Sequence, residues 1–297
     1  FFSQEDKMQT QKTDYLLRIL TDDGGLRATI AQTSDLTREV AGRHRASPIS
    51  TAALGYGLTG AVLLGSLLKV RQRVVVKATG SGPLQKLIAE ADSYGHSRAY
   101  VGQPQLVAYG PITSERVAEA IGGAGFLTIV KDLGMEEPHQ STVPLQTGFL
   151  DADLTWYMNQ SEQTPSVVEI DALVEPTGGV LAAGGLLLQT LPGGNLEKLI
   201  AISERLDDLP PIGKLLADGQ TPEEIAALLF GPMAYSITEQ RPLLFRCGCT
   251  PQRTLSALSL LDPDELAELI ASGLAEVDCH FCGEHYEFSR AEMEGLR

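Results

Sequence analysis

The sequence predicts an α+β protein in three parts: a large N-terminal sheet-and-helix domain over residues 1–190, a helical connecting segment over 191–240, and a small C-terminal zinc-binding domain over 241–297. Three observations lead there. β-like runs cluster with a few helices without strict strand–helix alternation, which argues against a doubly wound sheet. The pattern turns helical and charged after Leu191-Pro192-Gly193-Gly194. All four cysteines lie near the C-terminal end, as Cys247-Gly248-Cys249 and Cys279-His280-Phe281-Cys282.

Composition narrows the class. Hydrophobic residues make up 43% of the 297 positions and charged residues 21%, enough apolar material for a real core. A formal net charge of −15 repels nucleic acid and anionic membrane surfaces, so neither is an expected partner. Phe1-Phe2 runs straight into polar Ser3-Gln4-Glu5-Asp6-Lys7, unlike a signal peptide. A native start at Met8 would make residues 1–7 a tag remnant. Four cysteines are too few for a disulfide scaffold, and the expectation is a cytoplasmic protein with reduced thiols.

In chain order, Tyr15–Leu20 and Leu26–Ile30 flank Asp22-Asp23-Gly24-Gly25, a hairpin signal. Residues 36–69 read as helix broken near Pro48. Within them, Thr51–Leu68 carries no charge and meets the lower length limit of a membrane span. Its glycines make it weakly hydrophobic, and a buried core helix is the expectation. Strands follow over Arg73–Thr79, Lys86–Asp92, Arg98–Gln103, Phe126–Lys131, Val167–Val174 and Val180–Gln189. Gly80-Ser81-Gly82-Pro83 lacks the lysine and hydroxyl of a phosphate loop and reads as a turn. Asp151, Asp153 and Glu162 read as a solvated face, and no Ser-His-Asp arrangement has sequence support.

From Asn195 to Phe230, Leu196, Leu199, Ile200, Ile202 and Leu206 fall roughly on one helical face, interrupted at Asp207–Pro211. Thr221-Pro222-Glu223-Glu224 is a capping box with proline at the first helical position, opening a helix that ends at Gly231-Pro232. Short amphipathic helices are marginal alone, so this connection is a candidate for local unfolding. Asp262-Pro263-Asp264-Glu265 repeats the capping pattern and places a helix between the cysteine pairs.

The C-terminal segment has too few large apolar groups to build much core and needs a staple. Four thiols from two tight pairs match a closed tetrahedral zinc site. The first pair is C-x-C and the spacer covers residues 250–278, so the pattern departs from common zinc ribbons. His280 and His285 read as packing or surface histidines. Zinc holds thiols as thiolates, the form that oxidants attack, and its binding energy is coupled to folding. Each pair can also close on itself, so one site can both staple a fold and respond to oxidants.

The C-x-C pair, the long spacer and Cys279-His280-Phe281-Cys282-Gly283-Glu284-His285-Tyr286 resemble the heat-shock protein 33 family, bacterial redox-regulated holdase chaperones. Ser161–Ser166 after Trp156-Tyr157, Ala182–Gly193, Thr51–Gly55 and Lys131–Gly134 extend the resemblance over nearly the whole chain. It implies a reduced, inactive monomer with one zinc on Cys247, Cys249, Cys279 and Cys282 and no nucleotide. It further implies that oxidation pairs Cys247 with Cys249 and Cys279 with Cys282, releases zinc, and unfolds the C-terminal domain and the connection. A homodimer then holds unfolding client proteins without ATP or enzymatic turnover. Two rival readings are a thiol–disulfide oxidoreductase using Cys279-x-x-Cys282 and a zinc-ribbon nucleic-acid binder. The position of the motif after a helix disfavours the first, and the acidic charge disfavours the second.

Overall fold

A computed structural model describes residues 14–296. The expected start at Met8 lies outside these residues. Strands β1 (Tyr15–Thr21) and β2 (Leu26–Gln32) form the expected hairpin, with Gly24 at φ 72° in its turn. Helices α1 (Ser34–His44) and α2 (Pro48–Gly65) follow. Pro48 opens α2, where a missing N–H costs nothing, and Ser47 caps it.

Next come β3 (Arg73–Gly80), β4 (Lys86–Asp92), β5 (His96–Val101), α3 (Ser114–Ile121), β6 (Gly125–Asp132), β7 (His139–Pro144) and α4 (Leu150–Gln160). The run expected over Arg98–Gln103 thus starts earlier, at His96, because Ser97 already pairs with Ala91. Strands β8 (Ser166–Val174) and β9 (Val180–Thr190) precede helices α5 (Leu196–Asp207), α6 (Ile212–Ala217) and α7 (Pro222–Phe230). The chain ends with β10 (Tyr235–Pro242), β11 (Leu244–Phe245), α8 (Pro251–Leu258), α9 (Pro263–Ser272), β12 (Leu274–Asp278), β13 (His285–Ser289) and α10 (Arg290–Glu294).

The strands form two main sheets, confirming an α+β architecture. One is antiparallel, in the order β10-β1-β2-β9-β8. The other runs β11-β5-β4-β3-β6-β7, antiparallel except for β11, which lies parallel to β5. The apolar helix α2 packs between the sheets, with 94% of its span buried. Its glycines permit this: a Cβ at Gly57 would sit 2.8 Å from Leu87 of one sheet, and one at Gly55 2.9 Å from Ala172 of the other. The composition that passes a membrane-length test is here the composition of a core helix.

Helices α5, α6 and α7 cover the outer face of the first sheet and build a second core. Leu199, Ile202, Ile212, Leu215, Ile225 and Phe230 bury against Ile19, Leu26, Ile30, Leu186 and Leu188. The expected single stripe on α5 divides: Leu199 and Ile202 are buried, whereas Leu196 is 51% and Ile200 49% exposed. The stripe is narrower than its sequence because only the side facing the sheet finds apolar partners.

The carboxylates near α4 do not form a solvated face. Asp153 is buried and accepts the backbone N–H groups of Gln146, Thr147 and Gly148 at 2.9, 3.1 and 3.0 Å. It fastens the turn before α4, a local role that short polar side chains commonly take. Glu162 pairs with Lys131 at 2.6 Å and accepts the Tyr157 hydroxyl. Burial pushes Asp151 above the usual carboxylate range.

Glu169 and Asp171 of β8 hold the start of α6. The Ile212 N–H donates to Glu169 at 2.9 Å, and the Gly213 N–H donates to Asp171. Burial, reinforced by Asp171, Asp151 and Asp207, pushes Glu169 up from 4.5 to about 7. The folded value therefore exceeds the unfolded one. This carboxyl's contribution is fully present below pH 4.5 and is lost as pH rises through about 7. Hydrogen exchange in α6 should accelerate between pH 5 and pH 8 beyond its intrinsic pH dependence, and Glu169→Gln should flatten that excess. An unchanged pH slope in the variant would assign the effect to other groups.

Candidate metal and redox centre

The four cysteines come from two loops of different origin. Cys247 and Cys249 follow β11, which pins the chain to the edge of β5: the Leu244 N–H donates to Gly95 and the Arg246 N–H to Ser97. Thr250 then caps α8. Cys279 and Cys282 sit in the turn of the β12–β13 hairpin. The Cys279 N–H donates to the Glu284 carbonyl and the Gly283 N–H to that of Cys279, with Gly283 at φ 71°. Between the loops lie α8, α9 and β12 rather than the single expected helix. Their core is small: Leu258, Leu266, Ile270, Ala275, Phe288 and Met293.

All four sulfurs lie within 4.8 Å of one another. Cys247 Sγ is 3.7 Å from Cys279 Sγ, and Cys249 Sγ 3.3 Å from Cys282 Sγ. These are free thiols, far beyond disulfide length. A tetrahedron with metal–sulfur bonds of about 2.3 Å has edges of about 3.8 Å, so the cluster has the size of a zinc tetrathiolate.

The charges point the same way. Burial opposes ionisation of Cys247, but the Cys249 N–H, the Arg98 guanidinium and the neighbouring thiols outweigh it and bring Cys247 down to about 7. Burial pushes Cys249 and Cys282 up, and Cys247 and Cys279 beside them add to it. Four thiols this close do not ionise together without a cation, and a divalent metal supplies what the protein lacks. The residues present therefore fit zinc.

Two groups that the sequence did not single out, Arg98 and the Tyr286 hydroxyl, contact the sulfurs. Arg98 of β5 donates to Cys247 Sγ at 3.4 Å, and the Tyr286 hydroxyl donates to Cys249 Sγ at 3.1 Å. His280 stacks on Tyr100 with ring centres 5.4 Å apart, and His285 pairs with Asp278 at 2.7 Å. Both behave as the packing and surface histidines expected. A second grouping, Glu276, His285 and Glu287, is exposed on the hairpin.

Comparison with known proteins identifies the lineage. The family model for "Hsp33 protein" matches residues 14–289. The chain belongs to the Hsp33 family. The 33 kDa chaperonin of Geobacter sulfurreducens is 44% identical over 286 residues, covering 96% of this chain and 95% of that protein. The Bacillus subtilis 33 kDa chaperonin is 40% identical, covering 96% and 98%. The crystal structure of the Thermotoga maritima Hsp33 homologue superposes with a TM-score of 0.84 at 31% identity, covering 96% of this chain and 97% of that one. The α+β fold is thus that of an Hsp33 protein, and the family match spans all four cysteines.

Proposed function

We propose that this Hsp33 chain is a cytoplasmic, redox-regulated, ATP-independent holdase that binds unfolding proteins and prevents their aggregation. The observation that carries this reading is the convergence of all four thiols in a small domain reached through helices that cover an apolar sheet face. In the proposed division, residues 1–190 are the chaperone core, 191–240 a metastable linker, and 241–297 the redox switch. Bound zinc would hold Cys247, Cys249, Cys279 and Cys282 as thiolates and supply the folding energy that their small core lacks.

On oxidation, the four thiolates lose four electrons to two molecules of peroxide. The products are two disulfides, four hydroxide ions and free zinc. Every sulfur pair is close in the folded cluster, so the folded geometry alone does not select partners. Loop-closure entropy in the unfolding tail favours neighbours in sequence, which supports Cys247–Cys249 and Cys279–Cys282. Loss of the staple unfolds the tail, α5–α7 loosen, and the face carrying Ile19, Leu26, Ile30, Leu186 and Leu188 opens to clients. The opened face would also support a homodimer, with the reduced form a monomer.

Light scattering of a heat-unfolded client tests this. The oxidised, zinc-free protein should suppress aggregation, and the reduced, zinc-loaded protein should not. Equal failure of both forms, with zinc retained after peroxide, would reduce the site to a structural staple.

A further inference from the structure

Arg98 stands where the two cysteine loops meet the second sheet. It is half-buried on β5 and makes three kinds of contact. Its guanidinium donates to Glu90 at 2.8 Å and to Cys247 Sγ at 3.4 Å, and it lies 4.0 Å over the Phe281 ring. One side chain of the N-terminal sheet therefore touches both the C-x-C loop and the C-x-x-C loop. Its neighbours complete the seat. Tyr100 meets Phe281 edge-on at 5.0 Å and stacks on His280, and His44 Nε2–H donates to the Phe281 carbonyl at 3.2 Å.

We propose that Arg98 is the positioning residue that docks the cysteine domain on the second sheet and registers the thiol state there: it holds thiolate sulfur and releases disulfide sulfur. The donor–acceptor chemistry supports the distinction. A guanidinium bond to an anionic sulfur is charge-assisted, whereas a neutral disulfide sulfur is a weak acceptor.

The wider charge pattern agrees. Beside Gly248 lies a cleft of about 250 Å³, with Arg73, Arg98, Arg246 and Arg253 facing Glu90 and Asp92. Among the described residues, Arg246 and Arg253 form no ion pair with a carboxylate, and Arg253 donates to the Gly248 carbonyl at 2.8 Å. Arg73 already pairs with Asp132, and Arg246 and Arg253 are exposed, so the local positive excess is small and partly screened by solvent. A zinc-held tetrathiolate would carry two negative charges and would complement it. When the thiolates become two neutral disulfides and zinc leaves, that counter-charge disappears. Arg98 then faces a weakened acceptor, so undocking and oxidation are linked through the same atoms.

The oxidised half of this inference rests on the proposed redox function; the docking half does not. The test uses the full-length, reduced, zinc-loaded protein. Arg98→Ala keeps all four ligands, so zinc content should stay that of the parent. Backbone exchange at 244–249 and 279–283 should rise, and zinc transfer to a chelator should accelerate about tenfold, the scale of one charge-assisted hydrogen bond. Arg98→Lys should restore little, because it lacks the planar fork and the ring stacking. Phe281→Leu should loosen the same segments from the other side of the interface, which guards against a folding defect in the Arg98 variants. Arg116→Ala, whose side chain donates to the Tyr109 carbonyl on another face and does not touch the cysteine loops, is the control. Parent-like exchange and zinc transfer in both Arg98→Ala and Phe281→Leu would overturn the docking role. If peroxide fails to alter the parent while Arg98→Ala still loosens the reduced form, the docking role stands and the redox reading falls.

Discussion

Cys279→Ser will leave the C-terminal domain unfolded in reducing buffer and the protein active without oxidant. Structural zinc in small modules contributes on the order of 10–16 kcal/mol, as much as the whole stability of a typical domain. A core of Leu258, Leu266, Ile270, Ala275, Phe288 and Met293 cannot replace that. Serine is a poor zinc ligand, and at Cys279 it also removes the neighbour 3.7 Å from Cys247. Equilibration against a chelator should strip zinc from the variant at concentrations that leave the parent loaded. Protease should then cut within residues 250–278, and client aggregation should be suppressed with or without peroxide. A variant that keeps its zinc and still needs peroxide would sink the proposal that this thiol staples the switch.

The parts of this molecule legible in sequence are those written in local chemistry. The hairpin at Asp22–Gly25, the helix break near Pro48, the capping box at Thr221 and the two tight cysteine pairs each depend on a few adjacent residues. What escaped depends on partners far along the chain. Strand β10 reads as polar and exposed, and it exists because it pairs with β1. β7 is likewise a polar edge strand, with one buried residue, Val143. Edge strands need little apolar alternation, so their sequences give little period-two signal. Around the thiols, Arg98, Tyr100 and His44 come from strand and helix positions far from the cysteines in sequence, and nothing local marks them. Asp153 illustrates the opposite error. As a carboxylate in the first turn of a helix it reads as solvated, yet three backbone N–H groups converge on it in the interior.

Phe230→Ala will separate activation from the metal. Phe230 ends α7, is fully buried against the first sheet, and packs 4.7 Å from the Tyr235 ring. It lies in the core shared by α5–α7 and the sheet, apart from the core around the cysteines. Truncating a buried phenylalanine costs about 3–5 kcal/mol, which raises the population of the undocked helices by two to three orders of magnitude or more. The thiols are untouched, so zinc content should match the parent. If opening of the sheet face is what creates client affinity, the reduced, zinc-loaded variant should suppress aggregation without peroxide, and its helices should exchange faster while the cysteine loops remain protected. If the variant opens its helices by hydrogen exchange yet binds no client until oxidised, the client surface lies elsewhere. The unfolded cysteine domain itself would then become the binding element.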